Sequence, residues 1–370
     1  MKIKRVLKWS ALVLFVVLFG WFQFAYWTST NDCGRTVPAS AERMKAIRYC
    51  EYGAPDDVLK LEQVEKPVPN DNQILVRVRA VSIRFFDGGM LGGSLSGRLL
   101  FGLRKPKNTC PGSDYAGTVE AAGRNVTEFK PGVEVFGVRA GALSEYICVR
   151  ADRGAVALKP NNVTFEQAAT IPTALVALQG LRDIGRVQAG QKVLINGASG
   201  GVGTFAVQIA KSHGAEVTGV CSTKNLELVR SIGADHVIDY TKEDFTKGDP
   251  RYDIIYDLIN NRSFAERRRI LKPGGICVLA GVGGSGMRKE TLGNLVTSLT
   301  SALRSKFSDE KFISFGVDIN KKDLGVLRDL TERGTITPAL TKIYPLTETA
   351  AAYKYLATGH VQGKIAITID

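Results

Sequence analysis

The sequence predicts an α/β chain with two folded parts, a doubly wound parallel sheet and an all-β domain of short strands, preceded by one transmembrane helix. Three observations predict it. Strand and helix patterns alternate from Val193 to Gly281 around a glycine-rich turn, apolar and polar residues alternate in short runs from Met44 onward, and residues 9–27 form an uncharged apolar stretch. At 370 residues, 44% hydrophobic and 23% charged, the chain has room for two ordinary domains and the composition of a globular protein.

The apolar stretch comes first. "WSALVLFVVLFGWFQFAYW" is long enough to cross a bilayer core, and all three tryptophans of the chain lie in it, with Trp9 and Trp27 at its ends as an aromatic belt places them. No small-x-small cleavage site follows, so residues 1–28 read as an uncleaved single-pass anchor rather than a signal peptide. Lys2, Lys4, Arg5 and Lys8 precede the span, and Arg35, Arg43 and Lys45 follow it. That charge balance favours export of the rest of the chain. Cofactor supply and the lack of a disulfide pattern favour the cytosolic face, which is the side expected here. Residues 29–43 have linker composition.

From Met44 the runs "MKAIRYC", "LKLEQVEKPVP", "NQILVRVRAVSI", "AGTVEAAG" and "GALSEYICV" alternate between Gly, Pro and Asp turns, as short antiparallel strands do. Further on, "KVLINGASGGVGTFAVQIAK" reads as strand, tight turn and helix. "AEVTGVCS", "HVIDY", "YDIIYDLI" and "ILKPGGICVLAG" supply four more strands, with "LELVRSIG" as a helix between the first two. The last run, "GKIAITID", lies beyond this unit and returns the chain to the first domain, with a cleft between them.

Charge and cysteine usage exclude several classes. The net charge of +13 is spread in short runs such as "RKPK" and "ERRR", without any nucleic-acid-binding pattern, so no nucleic acid is expected and anionic lipid is the better partner. The six cysteines show no C-x-x-C and no paired spacing, which argues against a disulfide framework or a zinc ribbon.

The pieces "PGSDYAGTVEAAGRNVTEFKPGVEVFG", "ATIPTALVALQGL", "GQKVLINGASGGVGTFAVQIAK", "GADHVIDYTKEDF" and "GHVQGKIAIT" together resemble the medium-chain dehydrogenase/reductases, in the zinc-independent quinone oxidoreductase and enoyl reductase branch. The resemblance covers the chain from Met44 to Asp370. It implies a GroES-like catalytic domain at 44–165, a Rossmann NADPH-binding domain at 166–315, a C-terminal return at 316–370 and a homodimer. It also implies hydride transfer to a quinone or α,β-unsaturated carbonyl. Aligned by motif, Arg84 and Ser113 stand where zinc-dependent members need a Cys and a His, and no Cys occurs in "ATIPTALVALQ", so no metal is expected.

Arg84 replaces the Asn of an Asn-Pro pair common in relatives. It either stabilises negative charge developing on a carbonyl oxygen or pairs with Asp87 and turns to solvent. Asp87 and Thr173 complete the expected catalytic set. Asp114 is catalytic or structural, and Tyr115 a proton donor or core. Asn260 stands where relatives often have Gly, and "IPTALVAL" is one residue short. These departures keep open a membrane-tethered NADPH sensor or scaffold with little turnover.

The cofactor set is Ala198, Ser199, Gly200, Gly201, Val202 and Gly203 of the phosphate turn, with Ser222, Thr223, Lys224, Tyr240, Gly281 and Lys364. Gly200 and Gly203 stand three apart, as close backbone approach to a pyrophosphate requires, while Ala198 replaces the first glycine of the usual pattern. An NAD-selective site ends its second strand in an acid. Here that position is Cys221, followed by two hydroxyls and an ammonium, which predicts NADPH.

Overall fold

The computed structural model describes residues 17, 19–21, 23, 24, 26–34, 36–280 and 309–370. The first half holds strands β1 (Arg43–Arg48), β2 (Lys60–Glu65), β3 (Gln73–Ser82), β4 (Asp114–Ala122), β5 (Glu134–Val138), β6 (Tyr146–Arg150) and β7 (Ala155–Leu158). The second holds β8 (Lys192–Asn196), β9 (Glu216–Cys221), β10 (His236–Asp239), β11 (Tyr252–Asp257), β12 (Leu271–Leu279) and β13 (Lys311–Ser314). The chain then returns through β14 (Leu340–Pro345) and β15 (Lys364–Thr368).

The second sheet runs β10-β9-β8-β11-β12-β13, with every neighbour parallel. Its central strand "KVLIN" is buried over four of its residues because helices cover both faces. Strand order reverses between β8 and β11, where such a sheet leaves a crevice for a ligand. β13 is a sixth strand beyond the five that the sequence patterns predict.

The first sheet runs β14-β15-β3-β4-β5-β7, with β6 also on β3. β15 pairs antiparallel with β3 at Ala366 and Ser82, so the end of the chain completes the sheet that its beginning started. Ala80, Ala116 and Phe136 of this sheet share one core with Ile195 and Phe205 of the second half, through the helices Phe165–Thr170 and Ala174–Gln179. A continuous core holds the two walls of the cleft in fixed relation.

The N-terminal expectation is corrected. Among the described residues no helix is long and apolar enough to cross a membrane. The transmembrane helix over residues 9–27, the membrane and lipid partner and the single-pass localisation with its cytosolic face are therefore not supported. Residues 1–16, 18, 22 and 25 of that segment lie outside the described residues. Residues 27–31 make contacts with the β half. Arg104 lies over the Trp27 ring at 5.0 Å, Ser29 Oγ donates to the Lys105 carbonyl at 3.2 Å and Asn31 Nδ2 donates to the Cys50 carbonyl at 2.9 Å.

One disulfide forms where cysteine spacing predicted no framework. Cys33 and Cys50 are joined with Cα atoms 5.8 Å apart, because the turn around Asp32 folds onto the end of β1, where Arg48 pairs with Asp32 at 2.9 Å. The bridge depends on tertiary proximity, which spacing along the chain does not encode. It also removes the cysteine pattern as an argument for the cytosolic side.

Candidate active site and cofactor cradle

The glycine turn joins β8 to the helix Gly201–Ser212, whose first turn directs unpaired backbone N–H groups into the crevice. Each glycine has its own reason. A Cβ on Gly203 would fall 2.1 Å from the Gly197 carbonyl oxygen, so only glycine lets the helix pack this close to its strand. A Cβ on Gly201 would strike Lys364 Cδ at 2.6 Å, whereas at Gly200 it would meet only the Gly197 oxygen at 3.5 Å, leaving the side on which a pyrophosphate can approach. Ala198 is accommodated because β9 carries Gly219 beneath it; a Cβ there would come within 3.0 Å of the Ala198 methyl. Val202 anchors the turn as a partly buried residue on the core. The cradle fits a dinucleotide.

The far end of the crevice gathers the expected ribose residues. Ser222 and Ser199 are linked through Asn225, whose Nδ2 donates to Ser199 Oγ at 2.9 Å and Ser222 Oγ at 3.2 Å. Lys224 Nζ reaches the His360 carbonyl at 3.4 Å, and Tyr240, half exposed, donates its backbone N–H to the Cys221 carbonyl at 3.0 Å. Thr223 is partly engaged: it donates to Asp239 Oδ2 at 2.5 Å, and this bond, followed by those from Thr241, holds the Asp239 carboxyl below its usual value. Gly281 lies outside the described residues.

At the other end, four distant segments converge on Arg84. This residue precedes the short helix Phe85–Leu91, and Asp87 on the helix's first turn accepts the Arg84 backbone N–H at 2.8 Å. The guanidinium donates to Ser113 Oγ, lies 3.6 Å from Asp114 Oδ1 and 3.7 Å from Asp87 Oδ1, and its side chain is 30% exposed. Asp114 is buried and takes a hydrogen bond from Thr173 Oγ1 at 3.0 Å. Arg84 thus approaches Asp87 while keeping part of its side chain exposed. Asp114 beside it raises the guanidinium above its ordinary pKa, so it stays charged. Burial pushes the Asp87 carboxyl up, opposed by Arg84.

Lys364 belongs to this cluster as much as to the cradle. Its stem lies on Gly201, while Nζ donates to the Ile83 carbonyl at 3.0 Å, one residue before Arg84. Burial pulls it down to about 8, against the opposing pull of Asp114. Tyr115, by contrast, is fully buried in the β-half core with no partner for its hydroxyl, which makes it core. Asn225 and Gln362 join these groups without a spacing signal that marks them.

A family model for the alcohol dehydrogenase GroES-like domain matches residues 70–161, and one described as zinc-binding dehydrogenase matches residues 232–367. A 2-methylene-furan-3-one reductase of Solanum lycopersicum is 32% identical over 340 residues, covering 88% of this chain and 79% of that protein. The chain is a medium-chain dehydrogenase/reductase.

A chloroplastic NADPH-dependent alkenal/one oxidoreductase of Arabidopsis thaliana is 33% identical, over 90% of this reductase and 81% of the relative. The solved quinone oxidoreductase from Coxiella burnetii superposes with a TM-score of 0.77 at 28% identity, over 89% of this chain and all of that one. The reductase is an enzyme of the quinone and enone reductase type, and its cofactor is an NAD(P)H-type dinucleotide.

Among the described residues no group of three His, Cys, Asp or Glu could hold a metal. The positions that zinc-dependent members fill with ligands are taken by a cation and a hydroxyl, Arg84 and Ser113, bonded to each other. One departure that had suggested a scaffold has a structural account. Asn260 sits at φ 53°, a region asparagine tolerates, and its side-chain oxygen takes a 2.6 Å hydrogen bond from Arg267, which is fully buried and paired with Asp257 at 3.0 Å. The homodimer implied by the resemblance finds no support in the relatives matched.

Proposed function

We propose that this reductase uses NADPH to reduce a quinone or an α,β-unsaturated carbonyl, with Arg84 as the group that stabilises negative charge on the substrate oxygen. The observation that carries the reading is the fixed guanidinium itself, braced by Asp114, Asp87 and Ser113 where zinc-dependent members hold metal ligands. When bound, NADPH supplies a hydride to an electrophilic carbon of the substrate. Arg84 then faces the oxygen to which the charge spreads, in a site where burial makes one oriented donor worth far more than in water. Thr173 and Ser113 fix the carboxylate and guanidinium that make up this arrangement. Lys364 holds a proton at Nζ beside the same carboxylates and adds a second positive charge.

NADPH rather than NADH is supported by Cys221 at the end of β9, where an acid would repel a 2′-phosphate, and by Lys224 and Ser222 beside it. The Arabidopsis relative is described as NADPH-dependent and as acting on alkenals and alkenones, which agrees with both halves of the proposal. The test is turnover of a panel of quinones and enals with NADPH in the presence of a strong chelator. Sustained oxidation of NADPH is expected. Activity lost to the chelator and restored by zinc would overturn the proposal.

A further inference from the structure

We infer that Gln362, on the chain's return to the β half, is a positioning residue for cofactor choice: it docks the Lys224–Asn225 turn that meets the adenosine-end phosphate. The inference rests on the NADPH reading above and deepens it. Gln362 Nε2 donates to Asn225 Oδ1 at 2.5 Å and reaches the Lys224 carbonyl at 3.5 Å. Beside it, Lys224 Nζ lies 3.4 Å from the His360 carbonyl, Gly363 donates its N–H to the Ser199 carbonyl at 2.8 Å, and Gly363 bridges to Gly200. Residues 360–363 therefore touch the phosphate turn, the asparagine that links Ser199 to Ser222, and the lysine.

The physical need is clear from the local structure. Thr223–Asn225 is a single turn of 3-10 helix, too short to fix a long lysine by itself. A cation that spends most of its time elsewhere loses affinity in proportion, and docking its peptide in advance removes that loss. The contact that holds the ammonium is long and goes to a neutral carbonyl, so it exchanges readily for a charged phosphate oxygen. Gln362 does this with a neutral amide. A carboxylate at the same place would face the phosphate with like charge.

The experiment measures KM for NADPH and for NADH in the parent, in Lys224→Ala, in Gln362→Leu and in Gln362→Glu. Gln362→Leu should raise the NADPH-to-NADH ratio of KM values on the order of tenfold, the scale of a lost hydrogen bond in a charged site. Gln362→Glu should raise it further, and Gln362→Leu should add little on top of Lys224→Ala, because both act through one group. A merely structural role would move both cofactors together, and equal losses would overturn the inference. A parent that prefers NADPH, loses that preference in Lys224→Ala and keeps it in both Gln362 variants would overturn this inference alone. A parent that prefers NADH would overturn the NADPH reading and the inference with it.

Discussion

The phosphate turn and the Arg84 pocket lie on either side of the start of β15, and they are built in opposite ways. The turn is made of backbone from one continuous stretch, and its tightest approach is internal to that stretch, at Gly203 over Gly197. The pocket is made of charged and hydroxyl side chains from four segments around residues 84–87, 113–114, 173 and 364, which meet only after both sheets have formed. Damage to the turn should therefore act through packing and cofactor binding. Damage to the pocket should act through the chemical step.

Three changes sharpen that contrast. Lys224→Ala removes the cation of the cradle and should weaken NADPH by about 1.5–3 kcal/mol, the scale of a hydrogen bond to a charged group, with NADH nearly untouched; fluorescence titration with each cofactor checks it. Gly203→Ala forces a methyl into the Gly197 carbonyl and should cost about 1–3 kcal/mol of stability as overpacking, while Gly200→Ala, with nothing closer than 3.5 Å, should leave the melting temperature near the parent's and weaken cofactor binding. Equal melting temperatures for the two variants would contradict the packing account.

The smallest effect concerns pH. Lys364 is faced by Asp114, Arg84 and Asp87, and burial brings its pKa down to about 8 from an ordinary 10.5. Its charge is present below that value and lost above it, so kcat should decline as pH rises through about 8, and Lys364→Met should remove that inflection. Stability moves the other way. Between the folded and unfolded values the unfolded chain binds the extra proton, so this group makes stability rise with pH from about 8 to 10.5. Urea titrations of parent and Lys364→Met across that interval measure the difference.

The same contrast explains what the sequence made legible. The cradle could be read from Gly200, Gly203 and their strand-helix setting, because its geometry is local. The doubly wound sheet could be read from alternating patterns, and β15 from an isolated closing run. Arg84 stood out only as a departure from a family pattern, and its bracing by Ser113 and Asp114 needed β4 to lie beside the end of β3. Gln362 carried no signal, since its partners are more than a hundred residues away. The Cys33–Cys50 bridge spans a separation of only 17, but spacing does not show that the turn around Asp32 folds back onto the end of β1. Residues 9–27 misled because apolar length and tryptophan placement are properties of the stretch alone, whereas the described structure contains no helix able to cross a membrane.

The central claim is that a fixed guanidinium supplies the charge stabilisation in this pocket, and Arg84→Met tests it most directly. Pre-steady-state mixing of the NADPH-loaded enzyme with a quinone, followed by cofactor absorbance, separates the chemical step from binding. The account requires hydride transfer to slow on the order of a hundredfold, the usual cost of one lost oxyanion donor, with the dissociation constant for NADPH within a factor of about two. Arg84→Met enzyme that transfers hydride as fast as the parent would contradict it and leave Arg84 as the ion-pair partner of Asp87 and Asp114.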